Sequence, residues 1–144
     1  MAALIDTNVL VYLHDRRFPE KQRLARSLIL QLLQSDELRI AHQSLLEFYS
    51  ATTRHATKGS EPLLTPEEAR REIHDMVNAF EILYPVEAMI SLTLLGSAVH
   101  RLSWFDAHLW SFAEYYGCDT LFSEDFEHGR RYGTVRIVDP FAGG

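Results

Sequence analysis

The sequence predicts an α/β fold, namely a three-layer α/β/α sandwich built around a mainly parallel five-stranded sheet. Short apolar segments of strand length alternate with longer segments in which apolar residues recur at helical spacing. Proline, glycine and helix-capping residues stand at most of the junctions. This alternation is typical of β–α units that place their strands in parallel. The length of 144 residues predicts a single domain over residues 1–144.

Five apolar segments have the length and composition of buried strands. The first is a run that ends in Asp6 and is followed at once by Thr7 and Asn8. We predict strands at residues 2–6, 38–41, 81–84, 120–122 and 135–138.

The segments between these strands have helical periodicity. Pro19 opens one helix, in which leucine recurs every fourth residue at positions 24, 28 and 32. Thr65 and Pro66, followed by two glutamates, form a strong helix start. The apolar segment 88–99 predicts a buried helix, and residues 55–66 predict a loop. We predict helices from about residue 9, from residue 19, and over residues 44–57, 66–80, 88–99 and 103–116.

Composition excludes some classes of protein. The formal net charge of −6 argues against a simple basic nucleic-acid-binding module, which would have a pI above about 9. Cys118 is the only cysteine, so no internal disulfide is possible, and we expect a cytoplasmic protein. The longest apolar stretch includes Ser91 and Thr93 and is too short and too mixed to span a membrane.

Four carboxylates are expected at one edge of the predicted sheet. Asp6 ends the first strand, and Glu47 lies early in the helix after the second strand. Asp106 lies in the first turn of the helix that leads to the fourth strand, and Asp125 follows that strand. Because ligands bind at the carboxyl ends of parallel strands, these acids are candidate site residues.

Each acid also has a purely structural interpretation. Asp6 can cap a helix, whereas Glu47 and Asp106 each stand three residues after a serine, as in a capping box. Asp125 can belong to an Asx turn. The two interpretations are compatible, since a carboxylate in a first helical turn can cap and also bind a cation.

A group of carboxylates requires a cation. Two carboxylates about 5 Å apart repel by roughly 3 kcal/mol at an effective dielectric of 20. Oxygen ligands suit hard cations, so Mg²⁺ or Mn²⁺ is the expected cofactor. Such a cation can activate water for phosphodiester hydrolysis. Whether one ion or two would bind stays open.

Basic and aromatic residues allow two interpretations. The basic residues can contact phosphate or can form solvated surface with acidic partners, and the second interpretation is favoured for the run at residues 16–26. The aromatic residues can stack on RNA bases, although such spacing is more typical of core. The basic candidates are Arg16, Arg17, Lys21, Arg23, Arg26, Arg130 and Arg131, and the aromatic candidates are Tyr12, Trp104, Phe105 and Trp110.

The chain resembles the PIN-domain ribonucleases. The run from Asp6 to Leu10 is similar to their opening motif, and the later motifs follow in order around Glu47, Asp106 and Asp125. The resemblance covers essentially the full chain. In size it is most similar to the VapC toxins of bacterial type II toxin–antitoxin pairs.

This resemblance implies an endoribonuclease that hydrolyses RNA with Mg²⁺ or Mn²⁺, forms a homodimer and is neutralised by a cognate antitoxin. Asp6 and Asp106 would be the principal metal ligands, and Glu47 and Asp125 would complete the site. Asn8 and Ser123 would hold a metal-bound water or an acid in place. Glu124 and Asp119 are nearby alternatives to Asp125. The residues that the resemblance assigns to the site are therefore Asp6, Asn8, Glu47, Asp106, Ser123 and Asp125.

Two other functions compete with this one. A phosphatase-like phosphoryl-transfer enzyme also uses an aspartate after its first strand, often with a second aspartate two residues later. Asn8 occupies that position here, which argues against this class. A non-catalytic interaction domain would use the four acids only as helix caps and turn residues.

Overall fold

The computed structural model describes residues 1–54 and 61–143. Within these residues the strands and helices alternate along most of the chain. In order they are β1 (Ala3–Ile5), α1 (Thr7–Tyr12), α2 (Pro19–Gln34), β2 (Leu38–Ala41), α3 (His42–Thr53), α4 (Pro66–Ala79), β3 (Glu81–Leu83), α5 (Met89–Ala98), α6 (Trp104–Tyr116), β4 (Thr120–Phe122), β5 (Arg131–Tyr132) and β6 (Val135–Val138).

The strands of the described residues form one six-stranded sheet with the order β3-β2-β1-β4-β6-β5. All neighbouring pairs are parallel except β5 and β6. After β1 the chain builds outward through β2 and β3, and it then returns to place β4 on the other side of β1. Strand order therefore reverses between β1 and β4, where Ile5 is paired with Phe122. In a sheet of this kind, the reversal opens a crevice at the carboxyl ends of the two strands.

Two hydrophobic cores lie on opposite faces of the sheet. Leu4 packs with Trp110 and Phe112 of α6, whereas its neighbours Ala3 and Ile5 pack with residues of α1, α2 and α3. Side chains alternate between faces along a strand, so a three-residue strand supplies both cores. Helices on both faces of a mainly parallel sheet confirm the predicted α/β/α sandwich.

The predicted count of five strands is wrong by one. The additional strand, β5, is a two-residue partner that pairs antiparallel with β6 at the edge of the sheet. It depends on a turn at Gly133, which has φ +60° and where a Cβ would lie 2.7 Å from Oε1 of Glu114. A segment this short has no periodicity of its own, so only its pairing with β6 defines it.

Helix α3 begins before its predicted start at Ser44. Its N-cap is Ala41, with no side-chain capping bond, so the predicted capping box of Ser44 and Glu47 is wrong. Ser44 is fully buried within the helix, and its Oγ has no hydrogen-bond partner among the described residues. Residues 55–57 of the predicted helix and residues 55–60 of the predicted loop lie outside the described residues.

Helix α5 is buried on one side only, which corrects the prediction of a buried helix. Met89, Thr93 and Gly96 face α6 and the sheet. Apolar residues on its other side are exposed, because α6 covers only one face of the helix; they are Ile90, Leu94, Leu95 and Val99. None of the helices in the described ranges combines the length and the apolar character needed to cross a bilayer.

Candidate active site

A cleft of about 270 Å³ lies where strand order reverses, at the carboxyl ends of β1 and β4. All four predicted acids line it, although 119 residues of sequence separate the first from the last. Its lining residues are Asp6, Thr7, Asn8, Gln43, Glu47, Ser50, Ala51, Arg54, Asp106, Leu109 and Asp125. We call this space the carboxylate cleft.

Asp6 is the most deeply buried of the four acids, with only 5% of its surface exposed. Its Oδ1 accepts a hydrogen bond from the backbone amide of Thr7 at 2.6 Å, so it also serves as the N-cap of α1. Its Oδ2 accepts one from the hydroxyl of Ser123 at 2.5 Å. Burial raises the pKa of Asp6 to about 7, and the charges of Asp125 and Asp106 act in the same direction against these hydrogen bonds.

Ser123 and Asn8 connect Asp6 with Asp125. The Ser123 hydroxyl donates to Asp6 and accepts a hydrogen bond from the backbone amide of Asp125 at 3.0 Å. The Asn8 amide nitrogen donates to Oδ2 of Asp125 at 3.0 Å and to Oδ2 of Asp6 at 3.5 Å. Asp125 lies largely exposed, yet desolvation of its carboxyl toward the cleft raises its pKa, as does the charge of Asp106.

The other two acids come from the helices beside the sheet. Glu47 of α3 accepts hydrogen bonds from Oγ1 of Thr7 at 2.8 Å and from the amide of Gln43 at 3.3 Å. Asp106 lies in the first turn of α6, where the side chain of the N-cap, Ser103, accepts a bond from the Asp106 backbone amide at 3.4 Å. Ser103 therefore caps the helix with its own side chain, and the Asp106 carboxylate faces the cleft.

The two alternative acids lie elsewhere. Glu124 accepts hydrogen bonds from the Tyr12 hydroxyl at 2.6 Å and from Nζ of Lys21 at 2.9 Å. Neither Glu124 nor Asp119 is among the residues that line the carboxylate cleft. The geometry thus favours Asp125 as the fourth acid.

The residues present suit a hard cation, although they do not form a finished metal cage. Over residues 1–54 and 61–143, no three His, Cys, Asp or Glu side chains are grouped closely enough to hold a metal ion. Both carboxylate oxygens of Asp6 accept hydrogen bonds, Oδ1 from Thr7 and Oδ2 from Ser123. Mg²⁺ nevertheless binds through only one or two carboxylates with water and phosphate as further ligands. The side-chain oxygen of Asn8 is buried and has no partner among the described residues, which leaves one more hard ligand atom in the cleft wall.

Sequence reasoning did not assign four polar residues of the cleft to the site. Thr7 adjoins Asp6, whereas Gln43, Ser50 and Arg54 belong to α3 or its C-cap. Gln43, Glu47, Ser50 and Arg54 stand at positions i, i+4, i+7 and i+11, which place them on one face of a helix. That polar periodicity was present in the sequence and was the signal that identifies this wall of the cleft.

The sequence matches a known family. The family model for the PIN domain matches residues 3–133. None of the curated proteins compared with the chain matches it.

Solved structures share the fold across almost the whole chain. A chain in the DNA-bound VapBC complex of Salmonella typhimurium has a TM-score of 0.70 at 16% identity and covers 97% of this chain and 98% of its own. A chain in VapBC2 of Rickettsia felis, bound to a promoter DNA fragment, has a TM-score of 0.68 at 14% identity, with coverages of 95% and 97%. The sarcin–ricin-loop-cleaving toxin VapC20 of Mycobacterium tuberculosis has a TM-score of 0.60 at 12% identity, with coverages of 88% and 90%. At these identities the similarity establishes a common fold.

Proposed function

The chain belongs to the PIN domain family, and from this premise we propose that it is an endoribonuclease that hydrolyses RNA with the help of Mg²⁺ or Mn²⁺. The observation that carries the proposal is the convergence of Asp6, Glu47, Asp106 and Asp125 on one cleft. Helix caps and turn residues need not lie at the same cavity, so a purely structural role does not explain why all four acids line one cleft. A buried carboxyl with a strongly raised pKa among other acids is typical of a functional site.

Each acid has a role consistent with its surroundings. Asp6 and Asp106 would hold the cation, with Glu47 and Asp125 completing the acidic site, and a bound cation supplies charge neutralisation and a water of lowered pKa. Thr7 and Gln43 hold Glu47, while Asn8 and Ser123 hold Asp125 and Asp6. These hydrogen bonds fix the orientation of the carboxylates, so that they can orient an attacking water toward a phosphodiester.

We further propose that the protein is the toxin of a type II toxin–antitoxin pair and acts in the cytoplasm. Two of its fold neighbours were solved as VapBC complexes, and a third is a toxin that cleaves the sarcin–ricin loop. A cognate antitoxin is therefore the expected protein partner. The exposed apolar side of α5 supports a homodimer, because a contiguous apolar surface on a monomer marks an interaction site.

The test compares two aspartate variants of the purified protein. With Mn²⁺ or Mg²⁺, the wild type is expected to cleave single-stranded RNA, and addition of EDTA should stop cleavage. Asp106→Asn should lose cleavage while retaining its fold. Asp119→Asn removes the same charge outside the cleft and should cleave like the wild type. Equal cleavage by both variants would refute the site assignment.

Thermal unfolding provides a test that does not depend on activity. Binding of a ligand at a hundred times its Kd stabilises a folded protein by about 2.7 kcal/mol. Mn²⁺ should therefore raise the Tm of the wild type and of Asp119→Asn, and raise that of Asp106→Asn less. Absence of any shift would favour the non-catalytic interaction domain.

A further inference from the structure

A second cleft of about 370 Å³ adjoins the carboxylate cleft. The two share a wall made of Thr7, Asn8, Ala51, Arg54 and Asp125. We propose that this flanking cleft binds the unpaired nucleotide next to the scissile phosphate, with Arg54 contacting a phosphate and Phe18 stacking on the base. This inference rests on the proposed ribonuclease function and assigns the residues that contact the nucleotide beside the scissile bond.

The charges around the two clefts favour Arg54 as the phosphate contact. The carboxylate cleft is lined by four acids, which repel a polyanion approaching the site. Among the described residues that line that cleft, Arg54 is the only Lys or Arg, and it also lines the flanking cleft. Arg17 lines the flanking cleft as well, but it pairs with Asp15 at 2.8 Å. Arg54 is therefore the cation placed to neutralise a phosphate where the two clefts meet.

Phe18 presents an exposed aromatic ring that other side chains support. Phe18 is 43% exposed and lines the flanking cleft. Its ring packs edge-to-face against Tyr12, with centroids 5.7 Å apart, and Tyr12 packs in turn against Phe141 at 5.0 Å. Nζ of Lys21 lies 4.8–5.6 Å from the centroids of all three rings. Contacts with Tyr12, Lys21 and the Arg17 guanidinium, which lies 5.7 Å from the Phe18 centroid, thus support a ring that is still 43% exposed.

These features indicate the class of substrate. A base can stack on a protein ring only where it is free of its own helical stack, so RNA-binding proteins read unpaired bases in this way. The flanking cleft has the volume of a small ligand site and joins an aromatic face to a cationic group. A duplex would present its phosphates to Arg54 but no base face to Phe18.

The experiment measures RNA binding separately from cleavage. A fluorescein-labelled single-stranded RNA of six nucleotides is titrated with the full chain in the Asp106→Asn background, and anisotropy is recorded at several salt concentrations. The test variants are Arg54→Gln, Arg54→Lys and Phe18→Leu. The matched controls are Arg26→Gln, an exposed arginine on α2, and Tyr115→Leu, an aromatic residue of similar exposure at 46%; neither lines the two clefts.

The expected results differ between test and control variants. Arg54→Gln should weaken binding severalfold and lower the slope of log affinity against log salt by about 0.7, whereas Arg54→Lys should retain most of the affinity. Phe18→Leu should weaken binding about fivefold or more, because stacking contributes about 1–3 kcal/mol per base. The same sequence held as the stem of a hairpin duplex should bind more weakly, and Phe18→Leu should not change its binding further. Both controls should bind like their parent.

Failure of this inference and failure of the proposed function are distinguishable. If the wild type cleaves RNA but Arg54→Gln and Phe18→Leu bind it no differently from Arg26→Gln and Tyr115→Leu, the flanking cleft does not bind substrate. Equal affinity for the duplex would also overturn the inference. If the wild type cleaves no RNA, the proposed function fails on its own assay.

Discussion

Asp6 and Asp15 are buried to nearly the same degree, with 5% and 3% of their surfaces exposed, but their surroundings are opposite. Asp15 accepts hydrogen bonds from Nε and Nη2 of Arg17 at 2.9 and 2.8 Å, and these bonds hold its pKa below the usual range. Asp6 is placed among other carboxylates, and burial raises its pKa to about 7. Hydrogen bonds from an arginine therefore outweigh the desolvation of Asp15, whereas the desolvation of Asp6 is not offset by a cation.

The difference separates a structural acid from a functional one. Asp15 lies in the segment between α1 and α2, and its hydrogen bonds with Arg17 contribute to the stability of the fold. At neutral pH, ionised Asp6 lowers the stability of the metal-free protein, since its carboxylate is desolvated and none of its three donors, Thr7, Ser123 and Asn8, carries a positive charge. A buried acid that lowers the stability of the metal-free fold is typical of a functional site, and here the expected function is to bind a cation.

The largest effect is expected on cleavage. Asp6→Asn removes a proposed cation ligand, and loss of even a residue that orients a metal ligand commonly costs 10–100-fold in activity. We expect at least about a hundredfold loss of RNA cleavage in Mn²⁺, measured on folded protein, with Asp119→Asn again as control. Wild-type rates in Asp6→Asn would remove Asp6 from the site.

The next effect concerns the pH dependence of stability. The pKa of Asp6 lies near 7 in the folded state and near 3.8 when unfolded, so between these values the folded protein binds the additional proton. The free energy of unfolding of the wild type should therefore fall relative to that of Asp6→Asn as pH rises from about 4 to about 7. The fall should reach up to about 1.4 kcal/mol per pH unit. Urea unfolding in EDTA across this range measures it, and parallel curves for the two proteins would contradict the raised pKa.

A smaller effect of opposite sign is expected at Asp15. Because its pKa is lowered in the folded state, the ionised carboxylate contributes stability above pH 3.8, and this contribution is lost as pH falls through the folded-state pKa. Asp15→Asn should cost about 1–2 kcal/mol at neutral pH, since Arg17 is itself largely exposed. The two unfolding curves should converge in acid. A constant difference at every pH would indicate lost packing rather than a lost charge pair.

The smallest effect is expected at Ser123, whose hydrogen bond lowers the pKa of Asp6. Ser123→Ala should raise that pKa further and move the pH–stability profile of the metal-free protein, measured by urea unfolding in EDTA, upward by about one pH unit or less, as expected for a bond of about 1 kcal/mol. Ser111→Ala is the matched control, because Ser111 is equally buried and donates to the backbone oxygen of His108 at 2.6 Å. An unshifted profile in Ser123→Ala would show that this bond does not control the acid.

Much of the fold was accessible from the sequence because its elements carry local signals. Pro19 opens α2, and Thr65 forms a capping box with Glu68 at the start of α4. Gly117 ends α6 with φ +73°, as its position in the sequence predicts. In contrast, the seryl hydroxyl at position 44 matches a capping motif but lies inside α3, because the strand before it ends directly in the helix.

The contacts of the basic and aromatic residues could not be predicted from the sequence either. Arg23 pairs with Glu20, which supports the solvated-surface interpretation of that residue, whereas Lys21 bonds Glu124 from a distant loop. Trp110 is core, with its indole nitrogen donating to the backbone oxygen of Tyr132 at 3.0 Å. Trp104 on the same helix is 49% exposed. Sequence spacing cannot separate these cases, since each depends on what packs against the helix.

The sequence by itself determined the order and type of the main elements and the edge of the sheet where Asp6, Glu47, Asp106 and Asp125 would meet. These follow from local periodicity and from the rule that parallel strands present their carboxyl ends together. Only the tertiary structure decided which carboxylate oxygens accept hydrogen bonds. It also decided that Glu124 bonds Lys21 and that Arg54 lines both clefts. Hydrogen bonding, desolvation and charge act over a few ångströms between residues distant in the chain, and no local pattern encodes those distances.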